Sequence, residues 1–388
     1  MILKLYPTAL LLLQVSVSAF QSGVTPSRSR LLRPLHSTTQ ESVSSETSLR
    51  DEQRRKAKQS LLGLIGTAST SYIDPVLACP ETGDALKVTV NSSPIIDSSR
   101  IEATKLKFVA DNDSGLSYKG RSDSYYDLLV SPDNDDAGST PAPSREQIVN
   151  SLRAFLPPPL RAAFSKDYIP MRDLFTSPAV SFAYERGWRQ GFAAAGFPGV
   201  DREFELVQEY FTPAVVGKGS TVVVDMSCAT GLMTRRLARS NDYTRVLGCD
   251  YSPSMLTEAR RRIKMDPALP NNMELVRCDV AKIPMRTESV DALHAGAAMH
   301  CWPDVDSGLS EIYRVLKTGG RYFGSTFLSN YFSTLQNGEG NVSVSQQAFN
   351  YFTSADEIKN MFIRAGFEEK NVDVEVLGKA CIIVRCEK

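Results

Sequence analysis

The stretch Thr221-Val-Val-Val-Asp-Met-Ser-Cys-Ala-Thr-Gly-Leu-Met-Thr-Arg-Arg-Leu-Ala238 passes from β-branched residues through a turn to helix-forming residues. Residues 221–224 predict a short buried strand, which Asp225 closes. The turn contains the small residues Ser227, Ala229 and Gly231. A helix is predicted from Leu232 onward. A strand, a small-residue turn and a helix in this order present backbone N–H groups and a positive helix end to a nucleotide-like ligand.

A second predicted strand, Arg245–Asp250, ends in another carboxylate, and a helix is predicted after it over residues 252–264. Asp250 follows Asp225 by about 25 residues, the spacing at which an acid reaches ribose hydroxyls in nucleotide-binding sheets. A dinucleotide site would have three glycines in the first turn, and only Gly231 is present. A nucleotide-type cofactor with a free ribose is therefore the first hypothesis.

Five motifs in order resemble those of the class I S-adenosylmethionine-dependent methyltransferases. They are Asp225-x-Ser-x-Ala-x-Gly231, Asp250-Tyr-Ser-Pro-Ser-Met-Leu256, Arg277-Cys-Asp-Val280, Val290-Asp-Ala-Leu-His-Ala295 and Leu316-Lys-Thr-Gly-Gly-Arg-Tyr-Phe323. The resemblance is greatest to a plastid group of plants and algae, of the ubiquinone/menaquinone-methyltransferase-like type. Residues 182–192, 196–199 and 294–303 carry this narrower similarity. The resemblance covers the chain from about Asp173 to the C-terminus.

Alternating strands and helices indicate an α/β fold with a doubly wound, Rossmann-like sheet, whose ligands bind at the carboxyl ends of the strands. The resemblance implies that the methyltransferase sheet ends in an antiparallel strand pair, here residues 372–377 and 380–385. Three local signals predict helix boundaries. They are Asp201 as the N-cap of a helix over 202–211, Gly319-Gly320 as the end of a helix over 305–316, and the capping box Ser354-x-x-Glu357 before the last helix.

The resemblance implies S-adenosylmethionine as the cofactor. The residues expected to bind it are Asp225, Ser227, Ala229, Gly231, Asp250, Tyr251, Met255, Asp279, Val280 and Ala295. In the family, the acid at Asp225 engages the methionine ammonium, directly or through water. Asp250 would hold both ribose hydroxyls, and Asp279 the adenine amino group. Ser227 and Ala229 stand where many family members have glycine, and each β-carbon costs roughly 1–2 kcal/mol if the backbone there has a positive φ.

Such a cofactor carries an already activated methyl group, so the protein's task is in-line positioning and, for a weak nucleophile, removal of a proton. His300 is the candidate base, because an imidazole can take a proton from a phenol or an enol near neutral pH. The alternative is a structural histidine bonded to backbone under the Trp302 ring. The acceptor side is expected to include Trp302, Trp188, Tyr184 and His294. No metal is expected.

Composition narrows the function classes. Lys+Arg and Asp+Glu are equal at 44 each, so the formal charge gives no electrostatic argument for binding nucleic acid. The seven cysteines include no Cys-x-x-Cys pair, which favours small buried thiols in a reducing compartment over disulfides or metal ligands. A small-molecule acceptor follows from these observations more readily than RNA.

The N-terminus has the composition of a targeting segment. Residues 1–40 contain no Asp or Glu, and Lys4 precedes an apolar run over 9–17 that is short for a membrane span. The small residues of 17–20 predict a cleavage site, and the Ser/Thr-rich segment behind it contains three arginines. This arrangement resembles the bipartite plastid presequence of algae with secondary plastids, and a plain secretory signal is the alternative.

Five segments are predicted along the chain. They are a targeting presequence and disordered link over 1–65, a small β-rich module over 66–131, a linker over 132–145, a helical cap over 146–212 and the methyltransferase domain over 213–388. The motif Cys79-Pro-x-x-Gly-x-x-Leu86 resembles the first knuckle of a zinc ribbon, but zinc needs about four ligands. The module is therefore expected to be metal-free and docked on the catalytic domain. Residues 331–351 predict a lid over the substrate.

Three functions compete. The first is a plastid methyltransferase for a small apolar or aromatic acceptor, such as a prenylated quinone or a pigment precursor, with possible peripheral association with thylakoids or plastid lipid globules. The second is a ribosomal-RNA guanine methyltransferase, which the ribbon-plus-methyltransferase layout resembles. The third is a catalytically degenerate plastid-globule or partner-binding protein, suggested by the altered turn. The oligomeric state is not predicted.

Overall fold

Strands and helices alternate along most of the chain. A computed structural model describes residues 71–90, 106–120, 125–129, 192–193, 195–328 and 352–388. The strands of these ranges are β1 (Ser71–Ala78), β2 (Ala85–Val90), β3 (Leu106–Ala110), β4 (Ser117–Gly120), β5 (Tyr126–Asp127), β6 (Val222–Met226), β7 (Arg245–Asp250), β8 (Met273–Arg277), β9 (Val290–Ala295), β10 (Leu316–Phe327), β11 (Val372–Leu377) and β12 (Cys381–Glu387). Their α-helices are α1 (Val200–Val215), α2 (Leu232–Ser240), α3 (Pro253–Lys264), α4 (Val305–Val315) and α5 (Ala355–Ala365). The predicted α/β class is confirmed.

The described strands form one mixed sheet in the order β1-β2-β3-β4-β5-β8-β7-β6-β9-β10-β12-β11. From β8 to β10 the neighbours are parallel. The chain moves outward in one direction from β6 to β8 and in the other direction from β9 to β10. The order therefore reverses between β6 and β9, and a sheet of this kind opens a crevice at the carboxyl ends of the strands flanking such a point.

Burial explains why the central strands are continuous apolar runs. Every residue of β6 and β9 is buried, because helices cover both faces of the sheet. Leu309 and Phe362 pack on one face, and Phe211 and Leu237 pack on the other. All seven cysteines are free, and six of them are buried, which confirms their prediction as small buried thiols.

The C-terminal elements match their predictions. β12 pairs antiparallel with both β10 and β11, so the expected terminal strand pair is confirmed. The Ser354 hydroxyl accepts a hydrogen bond from the Glu357 amide at 3.1 Å. The Glu357 carboxylate reaches back to accept from the Thr353 amide at 2.6 Å. This reciprocal arrangement fixes the start of α5 as a capping box does.

The N-terminal strands extend the same sheet. β1 to β5 pair antiparallel in sequence order, and β5 then pairs parallel with β8. Asp74 forms an ion pair with Arg245 of β7 at 2.9 Å, and Arg245 also pairs with Glu274 at 2.7 Å. Burial raises the pKa of Asp74, but Arg245 and two backbone amides outweigh this and hold it below its usual value. The module is thus docked through shared backbone hydrogen bonds and a largely buried charge network.

Two predicted helix boundaries are wrong. Asp201 is not an N-cap, because α1 begins at Val200, two residues before the predicted start, with Gly199 as its cap at φ 79°. Asp201 lies in the first turn instead and forms an ion pair with Arg236 at 2.8 Å. Gly319 and Gly320 do not end α4. They lie inside β10, where the register against β9 shifts and Gly319 has φ 73°.

Several predictions fall on residues outside the described ranges. They are the presequence and link of 1–65, the linker of 132–145, the cap residues of 146–191, the lid of 331–351, and the acceptor-side residues Tyr184 and Trp188. Among the described residues, no group of three or more His, Cys, Asp or Glu side chains could hold a metal ion. In the same ranges, no helix combines the length and apolar character that a bilayer crossing requires.

Candidate functional site

A pocket lies at the carboxyl ends of β6, β7, β8 and β9, beside the point where the strand order reverses. Its empty space, counted to the open mouth, is about 730 Å³. The lining residues are Met226, Ser227, Ala229, Asp250, Tyr251, Ser252, Met255, Cys278, Asp279, Val280, Gly296, Ala297, Ala298, Cys301, Trp302 and Pro303.

The turn after β6, residues 227–231, forms one wall in an unusual backbone conformation. Ser227 has φ 57°, Ala229 has φ 49° and Gly231 has φ 72°. The condition stated for a cost at Ser227 and Ala229, a positive φ, is met, so each of the two β-carbons costs roughly 1–2 kcal/mol. Two hydrogen bonds hold the turn in place: the Ala229 amide donates to Asp250 at 2.8 Å, and the Trp302 indole donates to Ser227 Oγ at 3.0 Å.

Asp250 is the central carboxylate of the pocket. Its Oδ2 accepts the Ala229 amide, and its Oδ1 accepts the Ser252 amide at 2.8 Å. Burial raises the pKa of Asp250 to about 6, although these backbone hydrogen bonds act in the opposite direction. A carboxylate has roughly four lone-pair sites, so Asp250 keeps capacity beyond its backbone amide partners to accept a bond from a hydroxyl donor.

The wall beyond Asp250 brings together four more predicted residues: Tyr251, Met255, Asp279 and Val280. Met255 and Val280 are buried. The Arg277 guanidinium lies 5.7 Å from the centre of the Tyr251 ring and so supports that ring from behind. Asp279 Oδ1 accepts the Ala281 amide at 3.0 Å. This wall combines apolar surface with a carboxylate, which suits a planar base.

Asp225, Gly231 and Ala295 do not line the pocket, in contrast to their prediction as cofactor-binding residues. Asp225 is 2% exposed, because β6 continues one residue past it. Its Oδ2 accepts from the Thr234 hydroxyl at 2.5 Å, and its Oδ1 lies 2.8 Å from His294 Nδ1. The Asp225 carboxylate is therefore engaged inside the protein, behind the pocket wall.

His294, predicted on the acceptor side, does not line the pocket. It is 2% exposed within β9, opposite Asp225 in the sheet register. Its Nε2 lies 3.7 Å from Glu203 Oε1, a distance that suits an ion pair and exceeds that of a hydrogen bond. Burial alone would lower the pKa of His294, but Asp225 and Glu203 outweigh burial and raise it to about 9. The side chain is therefore cationic at neutral pH.

The structure does not support His300 as the catalytic base. Its side chain is 5% exposed and does not line the pocket. Nδ1 lies 3.3 Å from Thr326 Oγ1, and the ring meets Phe327 edge-on at 4.9 Å. Burial lowers the pKa of His300 to about 3, and a base with that pKa removes protons poorly at neutral pH. His300 is a packed, neutral histidine whose Nδ1 lies within hydrogen-bonding distance of a hydroxyl.

The loop after β9, residues 296–298, lines the pocket and was not predicted to do so. Ala297 has φ 50°, and its amide donates to Ser325 Oγ at 2.9 Å. The motif over 294–303 pointed to this stretch, but only its histidines, Ala295 and Trp302 were assigned roles. The switch point of the sheet is the signal that would have found Gly296, Ala297 and Ala298, because both loops beside it must face the ligand.

An aromatic cluster adjoins the same edge of the sheet. The Phe197 and Phe327 rings lie 4.5 Å apart, and Phe192 contacts Phe197 at 5.4 Å and Phe327 at 5.2 Å. His300 completes the cluster, and the next residue, Cys301, lines the pocket. Along the chain, the residue that packs in this aromatic cluster is thus directly followed by one that lines the pocket.

Residues 224–324 match a family model described as a methyltransferase domain. An uncharacterized chloroplastic methyltransferase of Arabidopsis thaliana is 44% identical over 199 residues, which are 51% of this chain and 55% of the relative. A second one from Arabidopsis thaliana is 43% identical over 158 residues, which are 40% of this chain and 43% of the relative. The chain thus spans about half the length of these curated relatives.

A chloroplastic protein of Oryza sativa is more distant. It is named a 2-methyl-6-phytyl-1,4-hydroquinone methyltransferase and is 28% identical over 116 residues, which are 30% of this chain and 34% of the relative.

Proposed function

Because the chain carries a methyltransferase domain that uses S-adenosylmethionine, we propose that it methylates a small apolar, aromatic acceptor of the quinone or pigment-precursor kind. The observation that carries the proposal is the charge of the pocket. Among the described lining residues, Asp250 and Asp279 are acidic, and none is a lysine, arginine or histidine. Such a pocket suits a nucleoside with a cationic sulfonium and no phosphate groups.

The residues present fit this cofactor. Asp250 would accept the ribose hydroxyls, and Asp279 with Val280 would receive the adenine. The turn 227–231 and the loop 296–298 would contact the aminoacyl end of the cofactor. The cofactor supplies a methyl group on a positively charged sulfur. The chain's own residues bind it, orient it toward the acceptor and exclude water, which is the main source of rate in a transfer of this kind.

The aromatic cluster supports the acceptor class. Phe192, Phe197 and Phe327 pack within 4.5–5.4 Å of each other, and of the three only Phe192 is partly exposed, so its ring is the surface that an acceptor could reach. Flat aromatic acceptors pack well on such surfaces. The rice relative is named a methyltransferase for a phytyl hydroquinone, which is an acceptor of the same chemical class.

Location in the plastid is part of the proposal. The relatives from Arabidopsis and rice are named chloroplastic, and the composition of residues 1–40 is that of a targeting segment. We place the enzyme at the surface of thylakoids or plastid lipid globules, where apolar acceptors concentrate. A fluorescent fusion of the full chain would co-fractionate with these membranes, and a fusion found only in the secretory pathway would contradict this location.

The N-terminal strands are proposed to be a metal-free relative of a zinc ribbon within residues 66–131. Cys79 closes a tight turn through its amide to Asp84 and its carbonyl to Gly83. Its sulfur lies 3.3 Å from the Tyr118 hydroxyl, within hydrogen-bonding distance. A zinc ligand would instead be a deprotonated thiolate bonded to the metal. Metal analysis of the purified chain should give far less than one zinc per molecule.

The acceptor is tested by incubating the full chain with labelled S-adenosylmethionine and three classes of candidate. These are prenylated quinols, a plastid pigment and lipid extract, and ribosomal RNA. The proposal predicts label in an apolar product one methyl group heavier than its precursor. Label confined to RNA, or no label in any apolar fraction despite cofactor binding, would refute the acceptor class.

A further inference from the structure

A chain of polar contacts runs behind the pocket and joins its two loops. It begins at Thr234, whose hydroxyl donates to Asp225, and passes from Asp225 to His294. Glu203 of α1 follows at 3.7 Å from His294 Nε2 and accepts from the Ser325 hydroxyl at 3.1 Å. The chain ends where Ser325 Oγ accepts the Ala297 amide. Five elements, β6, α2, β9, α1 and β10, therefore meet in one buried network.

Each end of this network lies beside strained backbone. Asp225 precedes the turn that contains Ser227 and Ala229, and Ala297 itself has φ 50°. Residues without glycine's freedom hold such conformations only where their surroundings over-determine them. At one end, Ser325 is a direct hydrogen-bond partner of Ala297. At the other end, Thr234 and His294 fix the carboxylate of Asp225, two residues before Ser227, so the network fixes the start of the first turn relative to the second loop.

Gly296 shows how closely the network approaches the pocket. This residue lines the pocket, and a β-carbon at its position would lie 2.8 Å from His294 Cε1 and 2.9 Å from Glu203 Oε1. No side chain at Gly296 therefore separates the pocket from these charges. His294 Nε2, which is buried and has no hydrogen-bond partner, lies 3.0 Å from the same point.

We propose that Asp225, His294, Glu203 and Ser325 form a positioning relay that sets loops 227–231 and 296–298 for the aminoacyl end of the cofactor. This inference rests on the proposed use of S-adenosylmethionine. His294 is its central member, because it is the cation that lets two buried carboxylates face each other. Two carboxylates face His294, those of Asp225 and Glu203, and the Phe323 ring stacks on it at 6.3 Å. Beyond Glu203 lies the Cys381 thiol, which is neutral because burial raises its pKa.

The test compares two ligands that differ only in that end. S-adenosylhomocysteine has the aminoacyl group, and methylthioadenosine has the same nucleoside thioether without it. Calorimetry on the full chain would use His294→Phe, which keeps a ring beside Phe323, and His294→Asn, which keeps a donor toward Asp225. Glu203→Gln perturbs the relay from α1. Glu205→Gln, at an exposed position of the same helix, is the matched control.

The relay predicts that His294→Phe and Glu203→Gln weaken S-adenosylhomocysteine binding about tenfold or more and leave methylthioadenosine binding nearly unchanged. His294→Asn, which keeps a donor toward Asp225 but removes the cation, should recover only part of the loss, and Glu205→Gln should match the wild type. Wild-type affinity for S-adenosylhomocysteine should fall as the pH rises through about 9, where His294 loses its proton. In His294→Asn that fall should be smaller.

Equal loss for both ligands, or no loss for either in the relay variants, would overturn the relay. If His294→Phe does not fold, Glu203→Gln decides the question on the same two ligands. A folded wild type that binds neither ligand would instead refute the proposed cofactor use, so the two failures are distinguishable.

Discussion

The indole nitrogen of Trp302 donates a hydrogen bond to Ser227 Oγ at 3.0 Å. This bond ties the segment after β9 to the turn after β6 across the pocket. It also explains why a serine is tolerated at a φ of 57°, since a typical buried hydrogen bond contributes about 1 kcal/mol and offsets much of the backbone strain. Ala229 has no side-chain contact of this kind to offset its own strain.

Replacing Ser227 and replacing Ala229 by glycine should therefore change the stability of the protein by different amounts. Ala229→Gly removes strain only, whereas Ser227→Gly removes strain and the Trp302 bond. We expect Ala229→Gly to be more stable than Ser227→Gly by about 1 kcal/mol in urea denaturation. In a Trp302→Phe background the difference should largely vanish, and a difference that persists there would mean that the bond does not stabilise the turn.

His300 should be dispensable for chemistry. In His300→Phe, which keeps an aromatic ring against Phe327, turnover should stay within about tenfold of the wild type, because a neutral buried histidine with a pKa of about 3 is not the base. Steady-state rates measured across pH 6 to 8 should show the same profile in both proteins. A loss of about 10²-fold in a folded variant would reinstate His300 as a base.

Asp74 should be essential for holding the N-terminal strands on the sheet. Asp74→Ala leaves Arg245 partly unpaired in a largely buried site, and breaking such a pair costs roughly 3–5 kcal/mol. Because the Asp74 pKa is lowered in the folded protein, its contribution is complete above the ordinary value and is lost as the pH falls through the folded value.

Denaturation at pH 7 and in acid measures both effects. The variant should show a lower midpoint and less acid sensitivity than the wild type. Asp113→Ala, at an exposed position of the same module, is the control and should unfold like the wild type. Equal stability of Asp74→Ala and the wild type would contradict the docking account.

Asp250 should make cofactor binding depend on pH. Its folded-state pKa of about 6 lies above the ordinary value, so its contribution to the stability of the unliganded protein is complete below about pH 4 and is lost as the pH rises through 6. Hydroxyl recognition needs the carboxylate, so S-adenosylmethionine affinity should fall about tenfold between pH 7 and pH 5. Asp250→Asn should bind weakly without this dependence, and a parallel pH profile in the variant would exclude Asp250 as its source.

Elements with a strong local pattern could be predicted from the sequence. β7 and β11 begin and end at the predicted residues, because each is a short apolar or alternating run between clear breaks. The turn after β6 was also predictable, since its small residues follow a buried strand directly, whereas its positive φ values come from the structure. Asp250 was predicted as a binding residue because it ends the next strand, and the structure places it in the pocket.

The remaining features depend on packing between distant segments. Glu203 lies in a predicted helix with no motif of its own, and only the docking of α1 against β9 and β10 brings it to His294 and Ser325. The burial of His300 likewise depends on Phe327, which lies at the C-terminal end of β10 and contacts the imidazole ring. Sequence spacing places a residue along an element, but it does not reveal what the neighbouring element contributes.

The central claim is that the pocket binds S-adenosylmethionine through Asp250, and titration calorimetry of the full chain, with Asp250→Ala as control, tests it most directly. The account predicts micromolar binding to the wild type and a loss of at least about 2 kcal/mol in the variant, because a charged acceptor for two hydroxyls is removed. Equal affinity in both proteins would contradict the role of Asp250. A folded wild type that does not bind would contradict the account as a whole and favour a partner-binding protein.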